Sequence, residues 1–448
     1  MPDRAPGKTW AALAGLAIVA IAMRAWFLAG PQIDYDEGVY WQSLRALAAG
    51  HPLFSSVYSS QPPGFLLLLT PFYDILGRSL PGARAGVAFF SLLGVGAAYV
   101  AMSQVAGRGS GLAAAAILIA DPLYLRQSVT LQADGPALAI ALCAVAIAAV
   151  GREGEGRWRI FTAATAGAVL GVACMVKLLA LPAALPLLLL LMPSRARLAA
   201  AVGGGLGAIA LLLVPFAGEL GLVAQQSIGL HLGGTAGSLT SVGGLWTLAR
   251  WELPLALLGF LAVVFHRPRS ALLVAGGWLG LALVALSFIH PLWPHHLVAV
   301  SVPLALLAAP LMASIAAPRL VAGGAVALAA ACACVAIVLS QQQPAAGATI
   351  DRIAQLTRPN QEVITDDQFG AALADRSTPP ELVDTSFVRI RSGDLTLADV
   401  EGIARRDRVP VLVLATGRLA QLTGLAQWAS SAYPKRETVT GQSFLVAP

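Results

Sequence analysis

Charged residues make up only 12% of this 448-residue sequence, about half the share of an ordinary soluble protein. That shortage excludes a conventional soluble enzyme and also a charge-rich disordered chain. Cysteine is scarce too. Cys143, Cys174, Cys332 and Cys334 all fall in apolar runs, none at zinc-ligand spacing, so neither a disulfide framework nor a zinc finger is encoded and the thiols read as small buried hydrophobes. The sequence has no Walker loop, no GxGxxG following a strand and no HExxH pair, which argues against a nucleotide-driven enzyme on the cytoplasmic side.

What the chain has instead is apolar length. Hydrophobic residues reach 57% and the mean hydropathy is +0.74. The charges are unevenly spread: residues 1–344 hold 18 Lys/Arg and 11 Asp/Glu, whereas residues 345–448 hold 11 and 12. A multispanning part followed by a polar globular domain is therefore expected. The basic excess lies wholly in the first part, which suits anchoring loops at a membrane and not nucleic acid. Since a crossing takes about 20 apolar residues, spans are expected at 10–29, 84–103, 109–124, 134–150, 160–176, 178–192, 198–216, 252–265, 271–288, 297–311 and 320–339. The first reads as a retained signal-anchor helix, since no small-residue cleavage site follows it. The nearly uncharged stretch 161–192 is too long for one crossing, and a break is expected near Lys177 and Pro182.

Segment 62–77, PPGFLLLLTPFYDILG, decides the orientation of everything after it. If it does not cross, eleven Lys/Arg of the first part face the cytoplasm and seven (Arg24, Arg45, Arg78, Arg84, Arg126, Lys177, Arg250) face outward; if it crosses, the split reverses. The positive-inside rule favours the non-crossing arrangement. It gives about eleven spans, a cytoplasmic N-terminus, and an extracytoplasmic domain from residue 345. In that domain EVIT at 362–365 and PVLVLAT at 410–416 read as strands, and 350–356 and 397–406 as helices, an α/β alternation. Asp366 and Asp367 follow the first strand and read as a turn or helix cap. Outward cations break the usual bias, and an anionic lipid headgroup would give them a role.

The first outer loop is the richest in chemistry. Asp34, Asp36 and Glu37 lie where the first helix leaves the membrane; EGVYWQSLRALAAG then reads as a short amphipathic helix ending at Gly50. Acids there can cap the helix. Together with Tyr35, Tyr40, Trp41 and Tyr58 they also suit a sugar ring and a polar leaving group. Asp134 opens the fourth span, either as a cap or as a functional acid. In HPLWPHH, residues 290–296, metal binding is disfavoured because adjacent His295 and His296 cannot share one face of a regular element.

The motif DYDEGVYWQSLRALAAGHPLF, followed by SSQPPGF and LPGARAGVAFFSLLG, resembles multispanning glycosyltransferases of the GT-C fold. Among these it is most similar to the dolichyl-phosphate-mannose–protein mannosyltransferase and aminoarabinose transferase types. The resemblance covers roughly residues 10–340 in layout. It implies an Asp-Glu pair after the first helix (Asp36, Glu37), a Pro-Pro segment (Pro62, Pro63), an Arg opening the next span (Arg84), and an acid in the second outer loop (Asp134). The aminoarabinose transferases carry an acid and a lysine just before the Pro-Pro pair, where this chain has Ser60 and Gln61; phosphate binding would fall to other cations.

The resulting expectation is a polytopic α-helical membrane protein, GT-C-like over 1–344 with a catalytic first outer loop at 30–83, and an extracytoplasmic α/β domain at 345–448. Its function would be transfer of a sugar, hexose or pentose, from a polyprenyl-phosphate donor to a glycan, lipid or protein acceptor of the cell envelope. A lipid-linked glycan flippase is the alternative. Asp36 and Glu37 are the expected catalytic residues; Asp34, Tyr40, Arg84, Arg126, Lys177 and His295 the expected substrate contacts; Asp134 the expected ligand if a divalent cation takes part.

Overall fold

The structure, a computed structural model, describes residues 6–28, 34–229, 242–266, 269–289, 291–315 and 346–448. The chain divides into two compact units, each drawn from separated stretches. One takes Met1–Gly30, Arg84–Pro215 and Thr240–Leu339; the other takes Pro31–Ala83, Phe216–Leu239 and Ser340–Pro448.

The first unit is helical. Among the described residues, six helices are long and apolar enough to cross a bilayer: Trp10–Leu28, Leu80–Ala106, Gly156–Val176, Arg195–Phe216, Arg269–Phe288 and Pro294–Ile315. Shorter apolar helices run over Arg108–Ala120, Asp134–Val150, Leu178–Leu191 and Glu252–Phe265. The protein is a multi-pass membrane protein. The expected span 320–339 lies outside the described residues. Between the helices Gly156–Val176 and Arg195–Leu213 the contact is made by small residues four apart, Gly167 and Gly171 against Ala201 and Gly205. A Cβ on Gly171 would stand 2.6 Å from the Gly205 carbonyl oxygen. Lipid offers no hydrophobic drive for helix pairing, so close backbone approach of this kind does that work. The break expected near Lys177 is present: the helix stops at Val176, Lys177 is extended, and a 3-10 turn at Leu178–Ala183 leads into the next helix.

In the second unit the segment of disputed crossing is a twelve-residue helix, Gly64–Ile75. At ~1.5 Å per residue it reaches only about 18 Å, well short of a ~30 Å hydrocarbon core. The C-terminal residues build a four-stranded sheet of order β1-β2-β4-β3, with β1 Val363–Thr365, β2 Val411–Leu414, β3 Lys435–Val439 and β4 Gln442–Val446. β1 and β2 are parallel; β4 is antiparallel to both β2 and β3. Alternation puts Ile364, Leu412 and Leu445 into one core with Val400 and Ile403, and Val363, Val411, Val413 and Phe444 into another with Ile353. Both faces are covered, as the apolar runs of β1 and β2 require. The helix Leu397–Arg406 starts at a capping box formed by Thr396 and Asp399.

The two expected strands and two expected helices are thus in place, and the β3–β4 hairpin is additional. Its turn uses Thr440 and Gly441, both at positive φ (48° and 83°). The first-loop segment belongs to this same unit. Its amphipathic helix, Tyr35–Ala48, ends as expected before Gly50, which takes φ +92°.

Candidate active site

The expected site residues fall on both units. Asp34, Asp36, Glu37 and Tyr40 belong to the unit that carries the sheet; Arg84, Arg126, Asp134, Lys177 and His295 belong to the helical unit.

In the first loop the three acids are differentiated by their surroundings. Asp34 is the N-cap: its carboxylate accepts the Asp36 backbone N–H at 3.0 Å. Glu37 is fully buried, whereas Asp36 is half-buried, one position into the helix. Tyr40 packs edge-on against Phe65, ring centres 4.6 Å apart. The helix is held along one side by the C-terminal residues. Tyr35 donates its hydroxyl hydrogen to Asp384 Oδ1 (3.1 Å) and accepts from the Thr385 backbone N–H (2.8 Å). The Arg418 guanidinium lies 3.8 Å from the centre of the Tyr35 ring. Burial, with the nearby Asp384 carboxylate second, pushes the Tyr35 phenol well up, so it stays a hydrogen-bond donor.

Farther along the helix, Gln42 Nε2 donates to the carbonyls of Gln368 (3.3 Å) and Arg376 (2.9 Å), and Arg45 pairs with Asp375 at 2.9 Å. Gly38 has no room for a side chain: a Cβ there would stand 2.5 Å from the Phe369 nitrogen. Below this helix, Asp366 and Asp367 have the turn-and-cap roles expected of them. Fully buried Asp366 accepts backbone N–H groups of Ala415 (2.7 Å), Thr416 (3.0 Å) and Leu419 (3.2 Å), and Asp367 caps the helix Gln368–Leu373.

In the helical unit, Lys177 Nζ lies 2.7 Å from Asp134 Oδ2, both side chains buried. Asp134 is the first helical residue and not the cap, a place taken by Ala133, so the capping alternative for this acid does not hold. His295 and His296 occupy a tight 3-10 turn, Pro294–Leu297. There, adjacency does not separate them as it would in a regular helix or strand: one donor atom from each and one from Asp134 lie within 4.8 Å of one another. Asp134 Oδ1 is buried without a hydrogen-bond partner among the described residues. One carboxylate oxygen and two imidazole nitrogens suit a borderline divalent cation; the Lys177 ammonium on the other carboxylate oxygen opposes it.

The remaining cations have mainly internal partners. Arg84 is buried and donates to the Leu28 carbonyl at 2.9 Å. Arg24, counted by sequence among the outward charges, is buried in its helix and donates to Ser91 Oγ (2.6 Å) and Ser128 Oγ (3.2 Å). Arg126 is half-buried in the last turn of the short helix Pro122–Gln127.

Two further buried acids, Asp121 and Glu252, were not singled out from sequence. Asp121 caps that short helix through the Tyr124 N–H (2.6 Å), and Glu252 accepts from Ser301 Oγ (2.9 Å). Asp121 followed by Pro122 is a legible cap-and-first-turn signal; Glu252, alone in an apolar run, gives none.

With this geometry in view, comparison with known proteins is informative. Residues 60–219, roughly a third of the chain, match the family model for dolichyl-phosphate-mannose-protein mannosyltransferase. The crystal structure of ArnT from Cupriavidus metallidurans in the apo state superposes with a TM-score of 0.70 at 17% identity, covering 99% of this chain and 98% of that one. This chain has the GT-C fold. The GT-C likeness extends to the ArnT crystal structure bound to undecaprenyl phosphate, with a TM-score of 0.65 at 17% identity, covering 99% of this chain and 98% of that one. It extends also to the archaeal oligosaccharyltransferase AglB from Archaeoglobus fulgidus, in complex with an inhibitory peptide and a dolichol-phosphate. There the TM-score is 0.54 at 13% identity, covering 98% of this chain and 74% of that one. No curated protein sequence gives a significant match. The GT-C resemblance read from the first loop is thereby borne out.

Proposed function

We propose that this protein is a membrane glycosyltransferase that moves a sugar from a polyprenyl-phosphate donor to an extracytoplasmic acceptor. The observation that carries the reading is the match of residues 60–219 to the mannosyltransferase family model in a chain of GT-C fold. Undecaprenyl phosphate bound to ArnT, and dolichol-phosphate bound to AglB, support a lipid phosphate as the carrier. The N-terminus lies in the cytoplasm and the sheet domain outside, the arrangement favoured by the charge count and by the short helix Gly64–Ile75.

The reaction we assign is direct displacement at the anomeric carbon. Asp36 takes the proton from the acceptor hydroxyl and stabilises the cationic character that develops on the sugar. Of the three first-loop acids it is suited to this work, because Asp34 is engaged as a cap and Glu37 is fully buried. Lys177 and Arg126 hold the lipid phosphate, which leaves as a stable monoester and needs little acid assistance. Asp134 fixes the Lys177 ammonium in place. A divalent cation, if bound, would be held by Asp134, His295 and His296 and would supply further positive charge toward phosphate.

The test is a transfer assay on purified, reconstituted protein with a panel of polyprenyl-phosphate sugars radiolabelled in the sugar. Label leaving the lipid for an acceptor or for water supports the reading; label retained on every lipid, alongside protein-dependent movement between leaflets, supports a flippase instead.

A further inference from the structure

We propose that Tyr35 is a positioning residue for Asp36, held by the C-terminal domain so that the carboxylate points where the acceptor proton leaves. The inference rests on the assignment of Asp36 as the base.

A carboxylate on the second residue of a helix has little freedom of its own; its aim follows the start and the rotation of the helix. Asp34 fixes the start through its cap. Rotation is fixed by residues that meet the C-terminal residues at Tyr35, Gly38, Gln42 and Arg45. Their spacing of three, four and three draws a single stripe along the helix. Asp36 lies about 100° round the axis from Tyr35, at 3.6 residues per turn, and so falls outside the stripe, on a different face of the helix from the one the C-terminal residues hold.

Tyr35 is the member nearest the acid, and it is held at both ends. Its hydroxyl is donor to Asp384 and acceptor from Thr385. Its ring lies under the Arg418 guanidinium, which also faces Phe387 at 5.1 Å. Asp384 in turn accepts the Ser386 backbone N–H at 2.8 Å, so the partner of the phenol is itself fixed. A domain far along the chain thereby sets the direction of a first-loop side chain.

The experiment is a double-mutant cycle in the full-length reconstituted protein, with a radiolabelled polyprenyl-phosphate sugar as donor. Tyr35→Phe keeps the ring and its stack on Arg418 but removes both hydroxyl bonds. It is expected to lower kcat about tenfold, within the loss that a misplaced group costs, with donor KM unchanged. In an Asp36→Asn background the same substitution is expected to cost nothing further, because it acts through Asp36. Hydrogen exchange supplies a readout independent of turnover: Tyr35→Phe is expected to speed exchange in peptides covering 34–42 and to leave those covering 64–75 unchanged. An equal loss in both backgrounds, or wild-type turnover and exchange in Tyr35→Phe, overturns the proposal. Wild-type turnover in Asp36→Asn alone overturns the assignment beneath it, an outcome that the Tyr35 variant by itself does not produce.

Discussion

The ammonium of Lys177 lies 2.7 Å from the Asp134 carboxylate inside the helical unit, both side chains largely buried. Burying two charges is favourable only while both are present. The pair therefore has two consequences: it fixes a cation beside the break after Val176, and it makes either residue alone expensive to remove.

Lys177→Met is expected to weaken donor lipid binding and to destabilise the protein, since losing one partner of a buried pair costs about 3–5 kcal/mol. Thermal unfolding of the purified protein checks it. The double variant Lys177→Met/Asp134→Asn is expected to recover most of the lost stability without recovering donor binding.

Gly38→Ala is expected to destabilise the unit that carries the sheet. The added Cβ would stand 2.5 Å from the Phe369 backbone nitrogen, which no side-chain rotation relieves. Overpacking of this kind costs about 1–3 kcal/mol. Limited proteolysis should show earlier cleavage between residues 31 and 83 in the variant than in the parent.

Asp366→Ala should loosen the sheet domain, because the carboxylate accepts three backbone N–H groups from the segment after β2. Each bond to a charged group contributes about 1.5–3 kcal/mol. The loss is expected in domain stability, read by hydrogen exchange at β1 and β2, with no direct effect on the Asp36 chemistry.

The sheet domain should also respond to pH through Glu362. Burial, with Asp407 and Glu381 next in weight, pushes this carboxyl up to about 7 from the ordinary glutamate value of 4.5. The folded state therefore holds the proton more tightly than the unfolded chain. The resulting contribution is complete below about 4.5 and is lost as pH rises through about 7. The melting temperature of the parent is expected to decline across that window relative to Glu362→Gln, whose neutral side chain removes the dependence.

Much of this arrangement is legible in local sequence. Apolar run length gave the helices, and the lone charge in 161–192 marked the break at Lys177. Short apolar runs rich in Val, Ile and Leu, with polar flanks, marked β1 and β2. The hairpin of β3 and β4 was not legible because KRETV carries only one apolar residue and its turn is Thr-Gly, without the Asn-Gly or Asp-Gly signature. The capping role of Asp34 could be foreseen as one alternative; the partners of Tyr35, Gly38 and Gln42 could not. Those contacts join positions more than 300 residues apart, and no periodicity within the loop helix identifies what its stripe will meet. The same holds for Asp134: its place at a helix start suggested a cap, whereas a residue 43 positions later takes its carboxylate.

The central claim is that Asp36 is the base of a lipid-linked sugar transfer, and Asp36→Asn tests it most directly, since the substitution keeps the shape and removes the basicity. Turnover of the purified variant with radiolabelled polyprenyl-phosphate sugar is expected to fall at least about 10²-fold, with donor binding retained. Near-normal turnover in Asp36→Asn, with a loss in Asp34→Asn or in neither, would contradict the account.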